Sequence, residues 1–313
     1  MVERIVLDPG LVVASFGRHV LVETPEGRRL ICHPRGKKSQ TVVGDQVLWL
    51  ATADEGTIEK IEPRRNIFYR QDEVRTKSFA ANLDQVLILI AAQPEYSESQ
   101  LSRALIAAEA QGITPLIALN KSDLREPYER AWQRLAPYRR MGYAMLPLAL
   151  KPASDAGATG ENSAQLLMQH LAGKVTLVLG PSGSGKSTLI NRLVPDARVL
   201  TGEISQALNS GKHTTTSTTW YWVDSERSTA LIDSPGFQEF GLQHIAPMDL
   251  AGCMPDIAMH AKNCKFYNCT HLHEPGCGVI AAIQPDELQT GISDRRYKIY
   301  STLFAELSQP ARY

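Results

Sequence analysis

One string constrains this chain more than any other: Gly180-Pro181-Ser182-Gly183-Ser184-Gly185-Lys186-Ser187-Thr188, placed directly after the apolar run VTLVL at residues 175–179. It fits the pattern G-x-x-x-x-G-K-[ST], which requires a buried strand before it and a helix after it. The glycines let backbone N–H groups converge on phosphate oxygens. Lys186 is placed to reach the β- and γ-phosphates, and the Ser187 hydroxyl to ligate Mg²⁺. A helix expected over residues 186–193 aims its positive end at the same anion.

The surrounding pattern supplies the sheet such a loop needs. Residues 86–91 form a continuous apolar run, as in a strand buried on both faces. Leu101, Leu105 and Ala108 recur at helical spacing within 97–111, and Gly112 stops that helix. A strand is expected over 115–119, a helix around 128–141, a strand over 144–148, a loop over the Gly/Ala/Ser-rich residues 152–162, and a helix over 164–172. Strands alternating with helices indicate a parallel α/β sheet.

Asn120-Lys121-Ser122-Asp123 directly follows the run PLIAL. A carboxylate at Asp123 can accept hydrogen bonds from the guanine ring N–H and exocyclic amino group, a donor pair adenine lacks. This disfavours an ATP-dependent kinase. Asp233-Ser234-Pro235-Gly236 ends the run TALID, where a P-loop protein keeps its Mg²⁺-side acid; the Gly236 N–H would meet the γ-phosphate. Between them lies Gly211-Lys212-His213-Thr214-Thr215-Thr216. A switch threonine that meets Mg²⁺ belongs in this interval. Thr215 is favoured, beside Ser187, with Thr214 and Thr216 left open.

The order of these motifs matters. The guanine motif precedes the P-loop, whereas the usual order is P-loop, switch threonine, DxxG, then NKxD. The same sheet can be built if the termini are moved, so the domain is expected to be circularly permuted. The switch elements then lead directly into the C-terminal region, which nucleotide state could reposition. The position after Gly236 is Phe237, where a water-orienting Gln often stands. Slow intrinsic hydrolysis is expected, with His213 a candidate for orienting the water. Lys186, Thr215 and His213 make up the expected catalytic set.

Residues 10–15, 19–23, 29–33, 46–51 and 57–61 read as short strands separated by turns, which suggests a small closed β-barrel of the OB kind or another β-topology. Near the other end, Cys264, Cys269, His271 and Cys277 form C-x4-C-x-H-x5-C. Three thiolates and an imidazole suit a closed tetrahedral structural Zn²⁺ site, with His273 as a rival fourth ligand. Cys32 and Cys253 read as ordinary buried cysteines. Residues 294–308 are the best helix of that region.

Lys plus Arg and Asp plus Glu each number 33, so charge gives no global argument for nucleic-acid binding. Residues 1–70 hold 11 Lys/Arg against 9 Asp/Glu, and only the run from Arg28-Arg29 to Lys37-Lys38 could meet phosphates. The segment MVERIVLDPG lacks a basic start followed by an apolar stretch, and no apolar run is long enough to cross a bilayer. A cytoplasmic, membrane-free monomer is expected. Three domains are expected: an OB-like barrel over 1–70, the permuted nucleotide-binding domain over 71–245, and a zinc-binding, partly helical domain over 246–313.

Together the barrel, NKSD, GPSGSGKST, GKHTTT, DSPGF and the Cys/His cluster resemble, over nearly the whole chain, the circularly permuted GTPases that depend on the small ribosomal subunit (RsgA type). Ala80-Ala-Asn-Leu-Asp-Gln85 also looks like that family's lead into its first nucleotide-domain strand, while its usual Ser-Ala-type loop beside the guanine stands here as Ala149-Leu150-Lys151. The resemblance implies GTP and GDP as ligands, with zinc and Mg²⁺. It implies a barrel and zinc domain that contact ribosomal RNA. It implies late action on the small subunit, which stimulates hydrolysis and is then released. The competing reading is a nucleotide-gated RNA-binding or scaffold protein whose GTP turnover is incidental.

Overall fold

The computed structural model describes residues 6–16, 19–35, 41–52, 55–71, 76–151, 157–195, 197, 218–234, 242–285 and 291–309. The expected strands of the N-terminal region are all present: β1 (Asp8–Phe16), β2 (His19–Glu23), β3 (Arg29–Pro34), β4 (Gln46–Ala51) and β5 (Gly56–Ile61). They run β1-β2-β3-β5-β4, and β4 returns to β1, so the sheet closes into a five-stranded barrel. β1 manages this through a bulge between Val12 and Ala14. Before the bulge it pairs with β4; after it, Ala14 and Ser15 pair with a strand of the nucleotide domain. An extra residue that bends a strand is what such a change of partner requires. Val12, Val20, Val22, Cys32, Val47, Trp49 and Ile58 fill the barrel.

A hairpin that the sequence reading did not resolve follows, β6 (Ile67–Gln71) with β7 (Thr76–Ala81), crossing position 70/71. Then come β8 (Gln85–Ala91), α1 (Glu98–Glu109), β9 (Thr114–Asn120), α2 (Arg125–Arg134), α3 (Ala136–Arg140), β10 (Ala144–Pro147), α4 (Gly157–Leu171), β11 (Val175–Leu179), α5 (Lys186–Leu193), β12 (Thr218–Trp222) and β13 (Ala230–Asp233). The strand order is β10-β9-β8-β11-β13-β12, parallel except for β12, and β12 continues into β1. The α/β sheet and the barrel are therefore one hydrogen-bonded sheet.

β8 is buried at all seven positions, and its two faces feed two cores. Val86, Ile88 and Ile90 pack with α1; Leu87 and Leu89 pack with α4 and α5. This is the period of two that a strand covered on both sides must show.

Two helix expectations are corrected. The single helix around 128–141 is two, broken at Leu135. Pro137 lacks an N–H and would break a continuous ladder, but it is tolerated in the first turn of a restarted helix. The loop expected over 152–162 gives way to α4 from Gly157. Ser163, Leu167 and Leu171 are buried at helical spacing. Once that stripe nucleates a helix, adding turns upstream is cheaper than nucleating one, even through a glycine.

The C-terminal region holds a 3-10 helix (Pro247–Cys253), α6 (Pro255–Ala261), the short α7 (Gly278–Ala281), the strand pair β14 (Ile283–Gln284) and β15 (Ile292–Ser293), and α8 (Asp294–Leu307). Ser293 caps α8 by accepting from the Arg296 N–H. No helix among the described residues is long and apolar enough to cross a membrane.

Candidate functional site

The P-loop leaves β11 and enters α5, as the motif requires. Gly185 has φ +104°, and a Cβ there would lie 2.4 Å from Asn120 Nδ2. Only glycine lets the loop approach the guanine motif so closely. Ser182, Gly183 and Ser187 are exposed, Pro181 and Thr188 half-buried. The Ser184 hydroxyl is buried with no hydrogen-bond partner among the described residues. Lys186 is half-buried and forms an ion pair with Asp233, the last residue of β13. The lysine and the acid expected on the two sides of a Mg²⁺–phosphate group therefore already meet.

Asn120 ends β9 and is buried. Its Nδ2 donates to the Ser184 carbonyl at 2.8 Å, and its Oδ1 accepts from the Leu150 N–H at 3.0 Å. One side chain thus ties the P-loop to the loop that the sequence places beside the guanine. Lys121 takes a left-handed φ of +67°, and its Nζ donates to the Gln93 carbonyl. The Ser122 N–H donates to the Leu148 carbonyl, and Asp123 is exposed at the rim.

Loop 149–151 has two supports that no motif announces. The Ala149 N–H donates to Ser163 Oγ at 3.0 Å, and Arg192 Nη1 donates to the Leu150 carbonyl at 2.8 Å. The loop that lacks its own serine is thus held by a hydroxyl from α4 and a guanidinium from α5. Ser163 lies 14 residues from Ala149, and the pairing has no sequence spacing that would reveal it. His213, Thr214, Thr215, Thr216, Gly236 and Phe237 lie outside the described residues.

Far along the chain, Cys264, Cys269, His271 and Cys277 bring their donor atoms within 4.8 Å of one another, a cluster that could hold a metal ion. Cys264 Sγ lies 3.4 Å from His271 Nδ1 and 3.8 Å from Cys277 Sγ, and Cys277 Sγ lies 3.5 Å from His271 Nδ1. His273 is exposed and outside the cluster, which resolves the choice of histidine.

The thiols differ in their surroundings. Burial pushes the Cys264 thiol up, but hydrogen bonds from the backbone N–H groups of Gly278 and Val279 and from the Cys277 and Cys269 thiols together hold the pKa below its ordinary value. Burial and the neighbouring sulfurs push Cys269 up to about 12. Burial also lowers the His271 pKa, so its imidazole is kept neutral, the form that ligates metals. A cation among these atoms would reverse the cost of ionising Cys269.

A second layer fixes the cluster. Burial raises the Glu274 carboxyl, but hydrogen bonds from Thr270, His273 and its own backbone hold it well below the usual carboxylate range. Glu274 accepts from Thr270 N at 2.8 Å and Oγ1 at 2.5 Å, so it orders the turn between ligands. Tyr297 and Tyr300 hydroxyls donate to the His271 and Thr270 carbonyls, each at 2.9 Å. Of the other cysteines, Cys32 is buried and its thiol is pushed up to about 11, whereas Cys253 is only half-buried.

Comparison with known proteins agrees with this geometry. The family model described as RsgA GTPase matches residues 61–243. The Small ribosomal subunit biogenesis GTPase RsgA of Variovorax paradoxus (strain S110) is 73% identical over 308 residues, covering 98% of this chain and 95% of the relative. The protein of that name from Paraburkholderia xenovorans (strain LB400) is 48% identical over 97% of this chain and 94% of its own length. Among solved structures, YloQ, a circularly permuted GTPase, superposes with a TM-score of 0.68 at 25% identity, covering 100% of this chain and 99% of its own. YjeQ from Thermotoga maritima gives 0.69 at 26% identity, covering 97% and 100%.

Proposed function

The chain belongs to the RsgA GTPase family, and from that premise we propose that it hydrolyses GTP late in maturation of the small ribosomal subunit, which stimulates the reaction and is released by it. The observation that carries the reading is Asn120, whose two hydrogen bonds make the guanine motif, the P-loop and loop 149–151 a single site.

In this reading Asp123 accepts from the guanine edge, and the backbone of 180–188 wraps the phosphates. Lys186 exchanges Asp233 for the β- and γ-phosphates, which frees the carboxylate to face the Mg²⁺ side. Ser187 and Thr215 would hold Mg²⁺, which supplies neutralisation of phosphate charge. Gly236 donates to the γ-phosphate. Phe237 cannot hold water by hydrogen bonds, so the unassisted rate is slow, and His213 is the candidate to orient the water when the partner stimulates the reaction.

The Cys/His cluster is assigned to one structural Zn²⁺. A tetrahedron with Zn–S bonds of ~2.3 Å has S···S edges of about 3.8 Å. The Cys264–Cys277 separation of 3.8 Å supports that assignment. The protein works as a cytoplasmic monomer whose barrel and zinc region contact ribosomal RNA.

The test is GTP hydrolysis with and without purified small ribosomal subunits, with ATP as control. Strong stimulation confined to GTP is expected, and His213→Ala should abolish most of it. Tight GTP binding without stimulation would replace this reading with the nucleotide-gated binding protein. A stimulated rate unchanged in His213→Ala would remove that residue from the mechanism.

A further inference from the structure

We propose that the loop between the first two cysteines of the metal cluster is a stacking platform for unpaired RNA bases. The inference rests on the ribosomal reading above and names the kind of RNA and the residues that take it.

Lys265, Phe266, Tyr267 and Asn268 are all exposed. Tyr267 is exposed over its whole surface (102%) and Phe266 over 42%. Neither ring belongs to a core cluster of the described residues, and covering the exposed Tyr267 ring with an apolar face would be favourable. The backbone that carries the rings is also held in place. Cys264 and Cys269 anchor the two ends of the loop in the cluster. The Lys265 N–H donates to the Gly276 carbonyl at 3.1 Å, and the Gly278 N–H donates to Cys264 Sγ at 3.3 Å. A loop tethered at both ends loses less backbone entropy than a free one when something stacks on its rings.

The charge around the rings selects the partner. Lys262 and Lys265 are exposed and have no carboxylate partner among the described residues, and Lys265 Nζ sits 5.6 Å from the Phe266 ring centroid. Residues 257–277 contain one carboxylate, Glu274, and its oxygens are occupied by Thr270, Leu272 and His273. In the barrel, by contrast, Arg29, Arg35, Lys60 and Arg64 each hold a carboxylate. Duplex RNA would use the ammonium groups but leave the rings idle. Unpaired nucleotides use both, stacking bases on the rings and placing phosphates beside the lysines.

The experiment uses the full-length, zinc-loaded protein and fluorescence anisotropy with an unstructured RNA of about 12 nucleotides, compared with a duplex of the same composition. Tyr267→Ala should weaken single-strand binding about fivefold to a hundredfold and leave duplex binding unchanged. Tyr267→Trp should retain it. Lys265→Gln should flatten the salt dependence by about one phosphate contact. Equal zinc content in every variant controls for folding. If Tyr267→Ala binds the single strand as wild type does, or if wild type does not bind it, the proposal fails. It also fails if Tyr267→Ala loses subunit association yet keeps single-strand binding, since the loop then faces a protein. Subunit stimulation of wild-type GTP hydrolysis is read in parallel. Its loss overturns the functional reading, whereas stimulation with an indifferent Tyr267 overturns only the stacking platform.

Discussion

The barrel and the C-terminal region flank the same sheet but are attached to it differently. The barrel has a core of its own, seven buried residues around Val12, Trp49 and Ile58. It meets the nucleotide domain through a main-chain ladder, Ala14 and Ser15 of β1 against Thr219 and Thr218 of β12, through Trp222 Nε1 donating to Glu23 at 2.7 Å, and through Val13 and Val43, which join the cluster around Ile88. Among the described residues the C-terminal region has no separate core. Leu250, Met254, Ile257, Val279, Tyr300 and Leu303 belong to the same cluster as Ile88, Leu101 and Leu105. The barrel can therefore loosen at its seam and stay folded. The C-terminal region cannot leave without uncovering α1.

Removing the metal should expose this difference most strongly. Structural zinc contributes on the order of 10 kcal/mol to the folding of small zinc domains. Chelation is expected to strip hydrogen-exchange protection from 247–307 and then from α1, while residues 8–61 keep theirs. Mass-resolved exchange at matched times reads both. Loss of protection in the barrel at the same rate would mean that the two flanks are one cooperative unit.

The sequence displays some of this arrangement and conceals the rest for physical reasons. Motifs that wrap a ligand are local, because consecutive N–H groups must converge on one phosphate, so Gly180–Ser187 could be read directly. The metal cluster could be read too, since its four ligands lie within one short segment. β8 was legible because a strand buried on both faces is apolar throughout. What stayed hidden was paired across long separations. β12 is a run of threonine and aromatic residues whose strand character is a propensity, and its neighbour β1 lies some two hundred residues away. Ser163 and Arg192 support loop 149–151 through a hydroxyl and a guanidinium that carry no spacing signal. Pro137 did announce a break, but the helical period on either side of it masked the interruption.

The C-terminal attachment has a centre that can be removed without touching the metal. Arg296 is buried; its Nε and Nη2 donate to Asp256 at 2.7 and 3.0 Å, and its Nη1 donates to Ser102 Oγ at 2.7 Å. Its guanidinium also lies over the Tyr138 ring at 5.1 Å. One side chain from α8 thus reaches α6, α1 and α3. Arg296→Met leaves Asp256 charged without its partner, which should cost about 3–5 kcal/mol. Urea melts check the value. Adding Asp256→Leu should recover much of it, because the penalty comes from the stranded carboxylate. If the double variant is no more stable than Arg296→Met, packing of the guanidinium on Tyr138 is the larger part of the contact.

The smallest effect is expected at the barrel seam. Trp222→Phe deletes the indole N–H that Glu23 accepts, but Glu23 keeps Arg29 at 2.7 Å and Arg227 at 3.7 Å, so its charge is not stranded. The loss should be close to that of one hydrogen bond to a charged group, about 1.5 kcal/mol, and guanidinium melts can resolve it. Its consequence should be local. Exchange should quicken at 14–16 and 218–222, while the barrel interior and 247–307 hold. β12 directly follows the interval in which the sequence places the switch threonines, so a looser seam should also weaken any response of the barrel to nucleotide. Comparing exchange at 14–16 with GTP analogue and with GDP, in wild type and in Trp222→Phe, measures that response. If wild type shows the same exchange in both nucleotide states, the seam is an attachment only, and no signal reaches the barrel through β12.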